Sequence, residues 1–106
     1  MSKYRRAARV DDNQSSIVSV LRSLPGITVQ VGHDDILVGH KGKNYWYEVK
    51  NPNTISKRTG EILDSKIKTS QKYIRQSWSG HYRLVWSVEQ ILDDLGIVRH
   101  NKPGES

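Results

Sequence analysis

The sequence predicts a small α/β domain, a mixed sheet of about four strands flanked by helices in the order α-β-β-β-α-β-α. Apolar residues recur at helical spacing in three stretches, runs rich in β-branched and aromatic residues lie between them, and Gly, Pro and Asn punctuate the joints. Length agrees with this. A chain of 106 residues can bury roughly 65% of its unfolded surface in one core but cannot support two. We divide it into a basic arm (1–10), a single domain (11–98) with a mobile loop at 51–68, and a frayed tail (99–106).

Asp11 or Asp12 suits the N-cap of the first helix, in which Ile17, Val20, Leu21 and Leu24 recur at i, i+3, i+4 and i+7 until Pro25-Gly26 stops it. Asn13 lies one turn before Ile17 and Gln14 one turn before Val18, so either can point over the sheet. Both also suit ordinary helix-start capping. Ile27, Val29 and Val31 then alternate with Thr28 and Gln30 in a strand buried on one face.

Two β-rich runs, Asp35 to Gly39 and Asn44 to Lys50, flank a short polar segment containing Gly42, the pattern of a tight hairpin. With Lys41-Gly42 as a two-residue loop, His40 faces Lys43, Val38 faces Tyr45, Ile36 faces Tyr47 and Asp35 lies opposite Glu48. A bulged turn would instead set Asp34 opposite Glu48. The first register gathers Ile36, Val38, Tyr45, Tyr47 and Val49 on one face and Asp35, Leu37, Trp46, Glu48 and Lys50 on the other, whereas the second mixes the sets. We therefore expect the first. Opposed carboxylates repel and call for a cation. A divalent metal held by Asp35 and Glu48, with the Lys50 ammonium alongside, is the equipment of phosphodiester hydrolysis. His33 and His40, each beside a turn, are read as surface residues.

Residues 51–68 contain turn formers and scattered charge without a period, and Lys57, Arg58, Lys66 and Lys68 suit a flap over nucleic acid or a solvent loop. Thr69 or Ser70 caps the next helix, where Gln71, Ile74 and Trp78 share the inward face and Lys72 and Arg75 point outward. Ser79-Gly80 ends it. Tyr82 to Trp86 forms a strand, Ser87-Val88-Glu89-Gln90 a capping box, and Val88, Ile91, Leu92 and Leu95 a last helix closed by Gly96.

Asp35, followed thirteen residues later by Glu48-Val49-Lys50, resembles the D…(D/E)xK signature of the PD-(D/E)XK nuclease superfamily. More closely, Asp-Ile-Leu-Val-Gly…Gly-Lys-Asn-Tyr-Trp-Tyr-Glu-Val-Lys is similar to small phage and bacterial nucleases related to the VRR-NUC and Holliday-junction-resolvase groups, from about Arg6 to Gly96. The resemblance implies a restriction-endonuclease-like core and a deoxyribonuclease using Mg²⁺ or Mn²⁺. Asp35, Glu48 and the Val49 carbonyl would be the metal ligands, Lys50 and Gln71 the other catalytic residues, branched DNA the substrate class and a homodimer the assembly. The acid that such proteins often carry on the first helix is replaced by Asn13 or Gln14. The Pro that usually precedes the metal-binding Asp is Asp34, so which aspartate binds the ion stays open.

Composition points the same way. Seventeen Lys and Arg against eleven Asp and Glu give a net charge of +6 and a pI near 9.7, which favours a polyanionic partner, DNA before an anionic membrane. Arg5 and Arg6 in the arm, with Lys57, Arg58, Lys66, Lys68, Lys72 and Arg75, are the candidate phosphate contacts. The start of the chain lacks the apolar core of a signal peptide and no apolar run approaches the ~20 residues of a membrane span, so a cytoplasmic protein of a bacterium or phage-infected cell is expected. With no cysteine a metal must be held by oxygen or imidazole. Two other readings compete with a nuclease: a non-catalytic DNA-binding module on a nuclease-like fold, and a basic structural protein whose acidic hairpin pairs with its own lysines.

Overall fold

A computed structural model describes residues 13–98. The basic arm with Arg5 and Arg6, the aspartates expected to cap the first helix, and the tail from Arg99 lie outside the described residues. Helix α1 runs over residues 13–22, followed by β1 (Ile27–Val31), β2 (Asp35–His40), β3 (Lys43–Val49), α2 (Thr69–Ser77), β4 (Tyr82–Val85) and α3 (Val88–Leu95). The fold is α/β, with the expected element order. Its sheet runs β1-β2-β3-β4, antiparallel through the first three strands and parallel between β3 and β4.

The β2–β3 hairpin adopts the first of the two registers. Lys41 and Gly42 form its loop, with φ of 53° and 78°, the left-handed pair that matches strand twist in a type I′ turn. His40 therefore pairs with Lys43, Val38 with Tyr45, Ile36 with Tyr47 and Asp35 with Glu48. Alternation then sends Ile36, Val38 and Tyr47 into the core. There they meet Ile17, Val18 and Leu21 of α1, Val85 of β4, and Ile91, Leu92 and Leu95 of α3. His40 continues this inward row and is buried, not at the surface as its place beside the turn suggested. The Tyr47 hydroxyl donates to Asp94 Oδ2 at 2.9 Å, and Arg83 Nη1 holds Asp94 Oδ1 at 2.9 Å. This closes the polar edge of that core.

On the other face stand Asp35, Leu37, Trp46 and Glu48, joined by Tyr82 and Leu84, because β4 pairs Trp46 with Tyr82 and Glu48 with Leu84. The segment expected as a loop without secondary structure carries some. It contains two short 3₁₀ turns, Pro52–Thr54 and Asp64–Lys66, and a bridge between Ile55 and Ile62, with Ile67 buried. Pairing carried by two isoleucines seven residues apart leaves no period in the sequence, which is why the segment looked structureless.

Helix α2 is capped by Lys68, not Thr69 or Ser70. Gln71 Oε1 accepts the Lys68 N–H at 3.1 Å, doing the work expected of a hydroxyl. Trp78, expected on the inward face, lies one residue beyond the helix and is 53% exposed. At α3 the expected cap is present, with Gln90 Oε1 accepting the Ser87 N–H at 3.0 Å, and Gly96 closes the helix with φ of 75°.

Since the turn sets the register, Gly42→Val, which forces a β-branched residue to positive φ, is expected to cost about 1–2 kcal/mol. Lys41→Asn, a residue tolerant of that conformation, should be neutral or slightly stabilising. Urea unfolding midpoints of the two variants check this.

Candidate functional site

The open end of the hairpin, where β2 begins and β3 leaves the sheet, gathers the candidate residues. Glu48 is 6% exposed and its Oε2 has no hydrogen-bond partner. Burial is the main influence on its carboxyl, followed by the charges of Asp34 and Asp35. Together they push it up to about 8 against the opposing pull of Lys50.

Asp35, opposite Glu48 across the hairpin, is held on several sides. Its Oδ2 accepts the Trp46 indole N–H at 2.9 Å. Its Oδ1 lies so close to Gly32 that a Cβ there would have to displace it. Its carbonyl accepts from Gly32 N at 2.8 Å and from Gln14 Nε2 at 3.2 Å. Asp34 sits beside the end of β3, its carbonyl accepting the Val49 N–H at 3.1 Å. Its carboxylate is half-exposed and 3.8 Å from Lys68 Nζ.

Lys50 follows Glu48 by two positions. Its backbone N–H donates to Val85 O at 2.7 Å, its carbonyl accepts from Asn13 Nδ2 at 2.7 Å, and its ammonium donates to the Lys66 carbonyl at 3.0 Å. Asn13 also reaches Trp86 O at 3.3 Å. The two amides of α1 thus brace the backbone on either side of the acids: Asn13 the exit of β3, Gln14 the entry of β2. A cleft of about 380 Å³ opens here, with Asp34, Lys50, Val49, His33 and Asn13 in its wall.

Gln71 is buried, 5% exposed, and its oxygen satisfies the start of α2. Of the basic residues, Lys57, Arg58, Lys66, Lys68 and Arg75 are exposed, and Lys72 pairs with Asp64 at 2.9 Å. Two aromatic neighbours were not legible as site residues. Trp46 holds Asp35, and its ring packs edge-on against Trp78 and Tyr82, with centroids 5.0 and 4.7 Å apart. The Tyr82 hydroxyl is buried without a hydrogen-bond partner. Burial first, then the charges of Glu48, Asp35 and Asp34, push it up to about 12, with Arg75 opposing. The alternation of β4 carried this signal, since in a parallel pairing with β3 it puts Tyr82 on the acidic face.

The donor set is one of oxygens, which suits a hard divalent ion, and the unpartnered Glu48 Oε2 is a place for one. Among the described residues, no three of His, Cys, Asp and Glu converge well enough to hold a metal ion by themselves. A cation here would rest on two carboxylates, backbone oxygen and water, as Mg²⁺ sites commonly do. No described helix is long and apolar enough to cross a membrane. No family model, curated protein or solved structure matches the chain.

Because the Glu48 carboxyl titrates higher in the folded chain than in the unfolded one, the metal-free folded state binds more protons between those two values. Stability then falls as pH rises from about 5 to about 9. The loss is expected to be several kcal/mol, a large share of the about 5–15 kcal/mol that holds a domain together. Glu48→Gln should flatten that dependence. Urea melts across the pH range, in EDTA, measure both.

Proposed function

We propose that this protein is a metal-dependent endonuclease that hydrolyses DNA phosphodiester bonds, with branched DNA as its substrate class. The observation that carries the reading is the buried Glu48 carboxylate, one oxygen unpartnered, with Asp35 opposite it and Lys50 two residues on, just past the end of β3. Burying such a group without a partner costs stability, and a site for a divalent cation gives that cost a use. The sequence resemblance to the PD-(D/E)XK nucleases supports the same reading.

Asp35 and Glu48 would hold Mg²⁺ or Mn²⁺, with the Val49 carbonyl as a further donor. When bound, such an ion polarises the phosphate and lowers the pKa of a water. The Lys50 ammonium uses one of its three N–H groups on the Lys66 carbonyl, which leaves two for a phosphate oxygen as negative charge builds on it. In the reaction the water oxygen bonds to phosphorus, a bridging P–O bond breaks, and the proton given up by the water ends on the leaving oxygen. Gln71, by capping α2, fixes the segment that carries Lys66 and Lys68. Exposed Lys57, Arg58, Lys66, Lys68 and Arg75 would meet the DNA backbone, contacts that orient the duplex without reading its sequence.

Purified protein incubated with junction, flap and duplex DNA is expected to cut with Mg²⁺ or Mn²⁺ and to stop in EDTA. Glu48→Ala and Lys50→Ala should each lower the rate by at least about a hundredfold while DNA binding, followed by gel shift, persists. Full cleavage by both variants, or none by the wild type with either metal, refutes the reading.

A further inference from the structure

Trp78 follows helix α2 by one residue and is 53% exposed, although burying an indole is among the larger gains open to a small core. We propose that Trp78 is a stacking platform for an unpaired DNA base beside the candidate cleavage site, so that the site takes DNA whose nucleotides are unstacked near the cut. This deepens the nuclease reading above and rests on it for the choice of DNA, but not for the metal.

Trp46 links the platform to the acids. Its ring lies 5.0 Å from that of Trp78, centre to centre, at an interplanar angle of 78°, and its indole N–H donates to Asp35 Oδ2 at 2.9 Å. Trp78 is thus one ring removed from an acid of the site. In an edge-on pair one ring offers its edge and the other a single face, so the contact with Trp46 leaves at least one face of Trp78 free. The platform is also braced. Trp46 packs edge-on against Tyr82 at 4.7 Å, and a Cβ on Gly80 would come within 3.0 Å of Trp78 Nε1, so the chain after α2 turns close along the indole. A ring held in place before binding loses little side-chain freedom when a base settles on it.

Its surroundings favour a nucleotide over an apolar partner. Leu37, 42% exposed and paired with Trp46 across the hairpin, extends the apolar surface. Arg75 is exposed three residues before Trp78, and with Tyr82 it lines a cleft of about 320 Å³, which puts its guanidinium on the side of the ring that supports Trp46. On a chain of net charge +6, a flat ring with a cation nearby suits a single strand: the ring stacks any base and the cation meets its phosphate. A base inside a duplex has both faces covered and must be unstacked at a cost, whereas at a flap or a branch a face is already free.

The test is binding of the full chain to fluorescein-labelled oligothymidine, a flap and a blunt duplex, followed by fluorescence anisotropy in EDTA so that cutting does not interfere. Trp78→Leu keeps apolar bulk against Trp46 without the flat ring. It should weaken binding to oligothymidine and the flap at least about tenfold and to the duplex less than about threefold, while Trp78→Phe stays within about threefold on all. Equal losses on single strand and duplex overturn the inference, as does an oligothymidine affinity unmoved by Trp78→Leu or a loss in Trp78→Phe as large as in Trp78→Leu. A dimer in sedimentation that Trp78→Leu dissolves, with oligothymidine binding unchanged, would make the ring a contact between copies and also overturn it. If circular dichroism shows that Trp78→Leu does not fold, tryptophan fluorescence replaces it: oligothymidine should quench the wild type and Trp78→Phe should lose most of that quenching, and quenching unchanged in Trp78→Phe overturns the inference. The nuclease reading fails separately, since single-strand binding through Trp78 without metal-dependent cutting keeps the platform and removes the enzyme.

Discussion

A carboxylate sunk into a sheet beside two others is an electrostatic problem that the surrounding chain must solve. Glu48 is withdrawn from water on the face opposite the main core, with Asp34 and Asp35 close enough to disfavour its ionised form. Hydrophobic burial cannot account for such an arrangement, since it stabilises nothing polar. Burial and the neighbouring acids favour its protonated form. A cation beside it would favour the ionised one. Several long-range polar contacts lie around the hairpin base.

Those contacts act on backbone as much as on side chains. Asn13 clamps the carbonyl of Lys50 and Gln14 that of Asp35, so the start of α1 fixes the ends of both strands that bear acids. From the other side, Lys50 reaches the Lys66 carbonyl, and Gln71 secures the chain just beyond it. The contacts of Asn13, Gln14 and Lys50 span elements far apart in sequence, while that of Gln71 is local to the start of its helix. Two half-buried amides thus hold the backbone where the acid-bearing strands begin and end.

The hairpin register was legible because binary patterning and turn chemistry agreed: only one pairing sorts Ile36, Val38 and Tyr47 from Asp35, Trp46 and Glu48, and Lys41-Gly42 suits its turn. Helix α3 was legible for the same reason, its cap and its Gly96 both being local signals. What escaped the sequence depended on distant partners. Gln71 faces inward as its spacing required, but whether its oxygen meets a substrate or a backbone N–H is decided by where residue 68 lies. Trp78 shares the helical period yet falls past the helix end, where a ring against Trp46 replaces burial. His40 looked exposed beside its turn although strand alternation aimed it inward. Tyr82 became a site neighbour only through the parallel pairing of β4, which no local pattern announces.

The account stands or falls on whether a metal ion occupies the place left by the Glu48 oxygen. Crystals of the protein soaked in manganese and recorded near its absorption edge would show this directly. The account predicts an anomalous peak within direct bonding distance, about 2–2.5 Å, of Glu48 Oε2. A well-ordered map with no peak beside Glu48 would contradict it.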